Sequence, residues 1–454
     1  MNIIIVGCGK VGLELAERLS AEGHAVTRMD TNASLMQKSL GPLDVQGVVG
    51  NGTSYRAQME AGVLDADLLI AVTDTDETSL LSCLIARKAG NCQTIARVRN
   101  PEYFEEIRFI KEELGLSMAI NPDQSAAAAI ARLIQIPSAM EIDSFAKGRV
   151  NLVRFQLPAD SPFIGMPLMN ISNKLGVNLL VAMIERGEEI IIPDGRQTLE
   201  NGDAVWLVAN LATISKIFKG FGVKTRALKN VMIAGGGRVS YYLAQALTRA
   251  HIRVKMIESN EAKCEKLSEA LPEVEIVCGD ATDELLLHEE GIEDMDAFVS
   301  LTSIDEENIL LSLYAQKVSK AKLVTKISRI TFEEVIKEMP LGSVVCPRAI
   351  TTERILRYVR SMENASGSNV KTLYYLAKGR AEALEFEVKD SPHIREIVDI
   401  PFMELNLKSN LLICCINRNG KIITPTGRDS LQIGDTVIVV TTHKGLSDLT
   451  DILA

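Results

Sequence analysis

Short apolar runs alternate with amphipathic stretches along the first part of the chain. The runs Asn2–Val6, Ala25–Met29, Val45–Val49, Leu68–Val72 and Thr94–Val98 have the length of strands and are bounded by turn residues. Helical patterns lie between them, among them Val11–Ala21 and Thr78–Lys88. Apolar strands alternating with helices predict a parallel sheet covered on both faces. A sixth run, Ser117–Ile120, precedes Pro122 and the alanine-rich segment Ser125–Ile136, where Ile130, Leu133 and Ile134 fall at helical spacing before Pro137. From about residue 140 the pattern turns to hairpins, first Val181–Pro193 and later Ile413–Pro425, whose Asn419-Gly420 pair signals a tight turn.

The pattern then repeats. Asn2–Gly12 (NIIIVGCGKVG) matches Asn230–Ser240 (NVMIAGGGRVS), Val48–Thr53 matches Val277–Thr282, Asp65–Glu77 matches Asp294–Glu306, and Pro193–Val208 matches Pro425–Val440. The offset stays between 228 and 232 residues, which marks an internal duplication. The expected fold class is α/β: two tandem Rossmann-like domains, each followed by a small α+β module. The expected boundaries are 1–137 and 138–222 for the first half, and 229–365 and 370–454 for the second. Gly220–Asn230 joins the halves, and the polar stretch Ser361–Gly367 reads as a linker within the second.

Composition narrows the function. A chain of 454 residues with a net charge of -10 is not chiefly a nucleic-acid binder, nor does it suit broad adsorption to an anionic membrane. The most apolar stretches, such as Leu68–Val72 and Val437–Val440, are too short to span a bilayer. Met1–Val6 lacks the basic lead of a signal peptide, so a cytoplasmic location is expected. Eight scattered cysteines without a Cys-x-x-Cys pair, and only five histidines, predict buried thiols in a reducing compartment and no metal site.

The candidate chemistry sits in Gly7-Cys8-Gly9-Lys10-Val11-Gly12, a G-x-G-x-x-G between an apolar run and a helical pattern. Gly7 allows a tight turn, Gly9 lets backbone approach a pyrophosphate, and Gly12 lets the helix pack on the strand. The helix N-terminus offers free N–H groups to the phosphates. Asp30, at the end of the next strand, is placed to accept from ribose hydroxyls; the plain alternative is a turn aspartate. The second half carries Gly235, Gly236, Gly237, Arg238 and Val239, with Ser240 at the third glycine position and Glu258 in place of Asp30. It reads either as a second ligand site or as a degenerate copy kept for architecture. Lys10 and Arg238 match, as do Arg97 and Lys326; each cation suits a phosphate, against a solvated charge or a structural salt bridge. Thr73-Asp74 and Thr302-Ser303 follow the fourth strands, at the edge where such sheets bind ligands.

The glycine turn, Asp30, Ala71–Glu77 (AVTDTDE) and Ala96–Tyr103 (ARVRNPEY), followed by a small β-rich module and all doubled, resemble the RCK or KTN regulators of potassium channels and transporters. The resemblance covers essentially the whole chain. It implies a non-enzymatic regulator that forms a homo-oligomeric ring, dimer or tetramer, at the inner face of the cell membrane beneath a potassium transporter of the TrkH type. It also implies NAD(H) or an adenine nucleotide (ATP, ADP or AMP) in the Rossmann-like lobes. The positions it assigns to nucleotide contact are Gly7 through Val11, Asp30, Asn51, Thr73, Asp74 and Arg97, with Asp280 at the place of Asn51 and Thr302 at that of Thr73. Relatives often carry an acidic residue where this chain has Asn51. Ser125–Ile136 and Thr351–Arg360 take the place of the helix that pairs lobes.

Three rival readings remain. An oxidoreductase would need a polarising group over a nicotinamide, yet His24, His251, His288, His393 and His443 are dispersed. A scaffold without ligand is disfavoured by the intact Gly7, Gly9, Gly12 and Asp30. A sensor whose ligand, such as a cyclic dinucleotide, binds the β modules stays open. In the favoured reading the nucleotide acts by binding one lobe arrangement better than another.

Overall fold

We describe the chain from a computed structural model that covers residues 1–34, 36, 45–145, 150–177, 179–209, 211–223, 228–329, 333–365, 370–446 and 448–454. Six parallel strands open the first half: β1 (Asn2–Val6), β2 (Ala25–Asp30), β3 (Val45–Val49), β4 (Leu68–Ala71), β5 (Gln93–Arg97) and β6 (Met118–Ile120), in the order 3-2-1-4-5-6. Five antiparallel strands follow: β7 (Glu141–Phe145), β8 (Val150–Gln156), β9 (Leu180–Arg186), β10 (Glu189–Ile191) and β11 (Ala204–Ala209), in the order 10-9-11-8-7. The second half repeats the parallel sheet with β12 (Asn230–Ala234), β13 (Arg253–Glu258), β14 (Glu275–Cys278), β15 (Ala297–Ser300), β16 (Lys322–Lys326) and β17 (Ser343–Val345), in the order 14-13-12-15-16-17. It repeats the small sheet with β18 (Val370–Leu376), β19 (Ala381–Glu387), β20 (Leu411–Arg418), β21 (Lys421–Ile423) and β22 (Thr436–Thr441), in the order 18-19-22-20-21. Helices cover both faces of each parallel sheet, so a central strand such as β4 is buried at every residue. The architecture is two Rossmann-like lobes, each followed by a small α+β lobe.

The two halves exchange a helix. Pro122–Gln135 starts three residues before the alanine-rich run, because Asn121 accepts from the Gln124 N–H and proline fits the first helical turn. Its buried face, Ala126, Ala127, Ile130, Ala131, Leu133 and Ile134, packs in one cluster with Val231, Ile233, Leu243, Leu247 and Val299 of the second lobe. The alanines let it approach the helix Arg238–Arg249 closely. In return, Pro347–Ala365 brings Ile355, Leu356 and Val359 into the first lobe's cluster with Ile3, Ile5, Leu15 and Leu19. Each fully buried Ile, Leu or Val is worth about 1.5–3 kcal/mol, so neither lobe completes that face alone. Polar contacts border the exchange: Arg360 grips Glu22 through both carboxylate oxygens, Arg18 meets Glu353, and Asn121 donates to the Tyr242 hydroxyl at 3.0 Å. The stretch from Ser361 is not a linker at its start, because the helix continues to Ala365 and Met362 packs on the first lobe's core. The rest of that stretch, 366–367, and positions 224–227 of the joint between the halves lie outside the described residues.

The small sheets also pack on each other. Phe145, Leu152, Met183 and Trp206 share a cluster with Tyr374, Leu376, Cys414 and Val440. Glu185 lies at this contact and accepts from Trp206 Nε1 (2.6 Å), Arg154 Nε (2.7 Å) and, across the lobes, Arg380 Nη2 (3.0 Å). Each small lobe carries the same internal clamp. Arg186 holds both oxygens of Asp203 at 2.8 Å, and Arg418 holds those of Asp435 at 2.9 and 2.7 Å. Lys322 ties the exchanged helix's exit to the second lobe, donating to the carbonyls of Pro137 (2.6 Å) and Ala139 (2.9 Å).

Two outcomes follow from these contacts. Ile130→Ala should destabilise the protein by about 2–5 kcal/mol. The lost protection should fall on β12 and β13 of the other half, read by hydrogen exchange; loss confined to β1–β6 would contradict the exchange. Burial pushes the Lys322 ammonium down to about 7, below its ordinary value of about 10.4. Between those values the unfolded chain binds more protons, so stability should rise with pH through that window and stay flat below it. Denaturant titrations of Lys322→Met should lack that rise.

Candidate functional site

The first cleft opens where the strand order reverses, between β1 and β4. Gly7 ends β1 at φ +106°, and a Cβ there would lie 2.8 Å from the Val72 carbonyl oxygen. Gly9 caps the helix Lys10–Ala21 in extended conformation, and no atom lies within 4 Å of where its Cβ would be. No acidic side chain occupies the first turn of that helix, so its N–H groups face the opening without a built-in counter-charge. Gly12 locks the turn, because a Cβ would sit 1.9 Å from the Gly7 carbonyl oxygen. At the end of β2, Asp30 accepts from Cys8 N through Oδ2 (2.6 Å) and from Asn32 N through Oδ1 (2.9 Å). Its oxygens retain lone pairs for further donors.

The fold brings Gly7, Gly9, Asp30, Asn51, Thr73 and Asp74 around a cleft of about 510 Å³, with Thr31, Asn32, Thr75 and Thr78 added. The other expected residues stand apart from its lining. Cys8 is buried; its backbone N–H donates to Asp30 and its thiol lies 3.9 Å from the Met36 sulfur. Lys10 points to solvent, and Val11 leans on the core that receives the exchanged helix. Gly12 is packed inside the turn. Arg97 lies behind the cleft, where it donates to the Thr73 carbonyl and burial pushes it down to about 10. It does not line the cleft, and among the described residues no carboxylate lies within salt-bridge distance of it. Asn51 serves the local turn, accepting from Thr53 N (3.0 Å) and Oγ1 (2.9 Å).

The second cleft keeps the plan with altered parts. Gly235 has φ +100°. Ser240 is fully buried where Gly12 stands in the first half, and its hydroxyl donates to the Gly235 carbonyl, so a Cβ is accommodated here. Glu258 repeats Asp30's bonds, accepting from Gly236 N (2.9 Å) and Asn260 N (2.8 Å). A cleft of about 380 Å³ is lined by Gly235, Gly236, Gly237, Glu258, Asp280, Thr302 and Lys326. Asp280 repeats the turn of Asn51, and bonds from Thr282 hold its carboxyl below the usual range. Lys326 donates to the Thr302 carbonyl, as Arg97 does to Thr73. An adjoining hollow of about 470 Å³ is lined by Arg238, Val239, Lys263, Lys266 and Asp123. Arg238 reaches Asp123 at 2.9 Å, so the second glycine turn meets the helix donated by the first half.

Several participants were not foreseen. Lys263 and Lys266 are three apart on the helix after Glu258, a spacing that places both on one face and was visible in the sequence. Asp123 could not be foreseen, because it arrives from the other half. Asp76 and Asp305 are matched staples that accept from Arg99 N and Asn100 N, and from Ser328 N and Arg329 N.

Fold and clefts together define a doubled dinucleotide-fold protein with small antiparallel accessory lobes. Residues 3–122 and 231–347 match the TrkA-N domain and residues 152–222 the TrkA-C domain. The chain belongs to the TrkA family. It is 31% identical over 448 residues to the Trk system potassium uptake protein TrkA of Vibrio alginolyticus, covering 98% of this chain and 96% of that protein. It is 32% identical over 439 residues to a TrkA homolog of Archaeoglobus fulgidus, covering 97% of each. The GsuK RCK domain shares the fold, with a TM-score of 0.64 at 17% identity, over 97% of this chain and 92% of that one. The chain is therefore a regulatory protein of potassium uptake. Family membership, rather than any missing catalytic cluster, sets aside the oxidoreductase reading. Among the described residues no helix is long and apolar enough to cross a membrane.

The two glycine turns should tolerate change unequally. Gly12→Ala forces a collision with backbone and should cost about 1–3 kcal/mol or more. Ser240→Ala loses one hydrogen bond and should cost about 0.5–1.5 kcal/mol. Thermal melts of the two variants test the order, and an equal effect would contradict the geometry.

Proposed function

We propose that the protein is the nucleotide-sensing subunit of a membrane potassium transporter of the TrkH type, docked at the inner face of the membrane as a homo-oligomeric ring. Its functional units are 1–137 and 138–222, then 229–365 and 370–454. NAD(H) or an adenine nucleotide (ATP, ADP or AMP) is the ligand. In the first cleft the backbone of Gly7 through Val11 takes the phosphates, Asp30 the ribose hydroxyls, and Asn51, Thr73 and Asp74 form the far wall. Gly12 and Arg97 support the site from behind. In the second cleft Gly235, Gly236, Gly237 and Val239 repeat the phosphate turn, Glu258 repeats Asp30, and Asp280, Thr302 and Lys326 form the wall. Arg238 supplies a cation at the phosphate end.

The observation that carries this reading is the paired geometry of Asp30 and Glu258. Each carboxylate is held by the N–H of the glycine turn and by the N–H two residues on, and lines a cleft beside a helix N-terminus. That arrangement suits a vicinal diol next to a pyrophosphate. GsuK has been solved bound to NAD and bound to ADP, which supports the same ligand class here. A nucleotide acts on the transporter by binding one lobe arrangement more tightly than another.

Calorimetric titration of NAD⁺, NADH, ATP and ADP into wild type, Asp30→Ala and Glu258→Ala tests the assignment. Asp30→Ala should weaken the first cleft's ligand on the order of tenfold or more, since bonds to a charged group are lost. Unchanged affinity in a variant that melts like wild type would defeat it.

A further inference from the structure

The second cleft contains a pair of thiols that its nucleotide chemistry does not use. Of the eight free cysteines, all described, only Cys278 is exposed. It is the last residue of β14 and the register partner of Glu258 on β13. Cys264 lies in the first turns of the helix Glu261–Ala270, buried, with Sγ donating to the Glu258 carbonyl at 3.2 Å. The same carbonyl accepts from Gly279 N at 3.0 Å, so one oxygen gathers Cys264 and the residue next to Cys278. Burial first, and the neighbouring Cys278 thiol second, push the Cys264 thiol up to about 11. Asp280, on the cleft wall, is two residues beyond Cys278, and Lys263 is next to Cys264. In the first half, Val49 is the register partner of Asp30, so the matching strand end has no thiol.

We propose that Cys264 and Cys278 form an oxidisable dithiol that sets the shape of the second cleft, with a low-molecular-weight disulfide as the oxidant. The exposed Cys278 reacts as its thiolate, attacking one sulfur of the small disulfide and expelling the other half as a thiolate. Cys264 stays protonated until this step. Its sulfur then attacks the Cys278 sulfur, its proton passes to the departing thiolate, and the Cys264–Cys278 bond closes. Two protein thiols are oxidised and one small disulfide is reduced to two thiols. The S–S bond is about 2.05 Å long, far shorter than the contact distance of two unbonded sulfurs. Closing it therefore draws the helix Glu261–Ala270 toward the end of β14 and takes Sγ from the Glu258 carbonyl. Glu258, Lys263 and Asp280 move with the pieces that are joined. The effect on a ligand rests on the nucleotide reading above; the dithiol does not.

The test uses the full-length reduced protein with oxidised glutathione as the probe. Peptide mass spectrometry should find the Cys264 and Cys278 peptides joined with loss of two hydrogens and no retained glutathione. Cys264→Ser should instead keep glutathione on Cys278, and Cys278→Ser should show no adduct on Cys264. A stable glutathione adduct on Cys278 in wild type, or two unmodified thiols, overturns the proposal. ADP affinity is then measured in an Asp30→Ala background, where binding at the first cleft is weakened. Oxidation should shift that affinity on the order of fivefold, and Cys278→Ser should abolish the shift. Joined peptides with unshifted ADP affinity overturn the control of the cleft. If the reduced Asp30→Ala protein does not bind ADP, the nucleotide reading of the second cleft fails, while joined peptides still support the dithiol.

Discussion

The reciprocal exchange of two helices is the constraint on which the rest of the structure depends. Pro122–Gln135 completes the second lobe and Pro347–Ala365 completes the first. A parallel sheet needs both faces covered, and here one face of each is completed by the other half. The two Rossmann-like lobes are therefore linked by core packing and not by a surface contact. Interiors pack at near-crystalline density and resist gradual deformation. A shift of one lobe must accordingly be met by the other, which is the property that a two-lobed sensor requires.

The exchange also explains where the halves differ. Position by position the duplicated turns agree: Asp30 with Glu258, Asn51 with Asp280, Arg97 with Lys326. The side chain that faces each turn from the donated helix is a different matter. Asp123 meets Arg238 in the second half, while Arg348, near the start of the other donated helix, lies 2.8 Å from Glu14 in the first. The donated helices thus present opposite charges to the two helices that follow the glycine turns. The second site adds Lys263 and Lys266 to Lys326 in its hollow. The copies agree in their backbone chemistry and diverge in the charge that surrounds it.

Much of the fold was legible because its signals are local. Each strand of the first lobe was foreseen to within a residue or so, since apolar runs and glycine turns act over short spans. Asn419 and Gly420, at φ 50° and 83°, form the tight turn that their identity predicts. Ser361–Ala365 was misread because a polar composition resembles a linker, while the contact that keeps it helical, Met362 on the first lobe's core, comes from far along the chain. For the same reason the glycines and carboxylates of the clefts could be read, but the roles of Arg97, Arg238 and Lys10 could not. A cation's partner is a tertiary fact: a carbonyl for Arg97, a carboxylate of the other half for Arg238, and solvent for Lys10.

A route from cleft to small lobe can be traced through these contacts. Arg238 stands at the second glycine turn and holds Asp123 in the first turn of the donated helix. A phosphate at that turn would compete with Asp123 for the same guanidinium, and the more charged partner gains most. Twelve residues on, the same helix ends and its exit is pinned by Lys322 through the carbonyls of Pro137 and Ala139. Immediately beyond begins β7, whose Phe145 packs against Tyr374 of the other small lobe, with ring centroids 4.1 Å apart. On the proposed reading, a ligand in the second half would act first on a helix that belongs to the first half, and through it on the contact between the two small lobes. To reverse a strongly biased arrangement, from 1:99 to 99:1, the ligand must discriminate between the two states by about 5.5 kcal/mol. A single rim ion pair such as Arg238–Asp123 supplies about 1 kcal/mol at most. On the proposed reading, the bulk of that discrimination would have to come from the phosphate turn and from Glu258, with Arg238 as the coupling element.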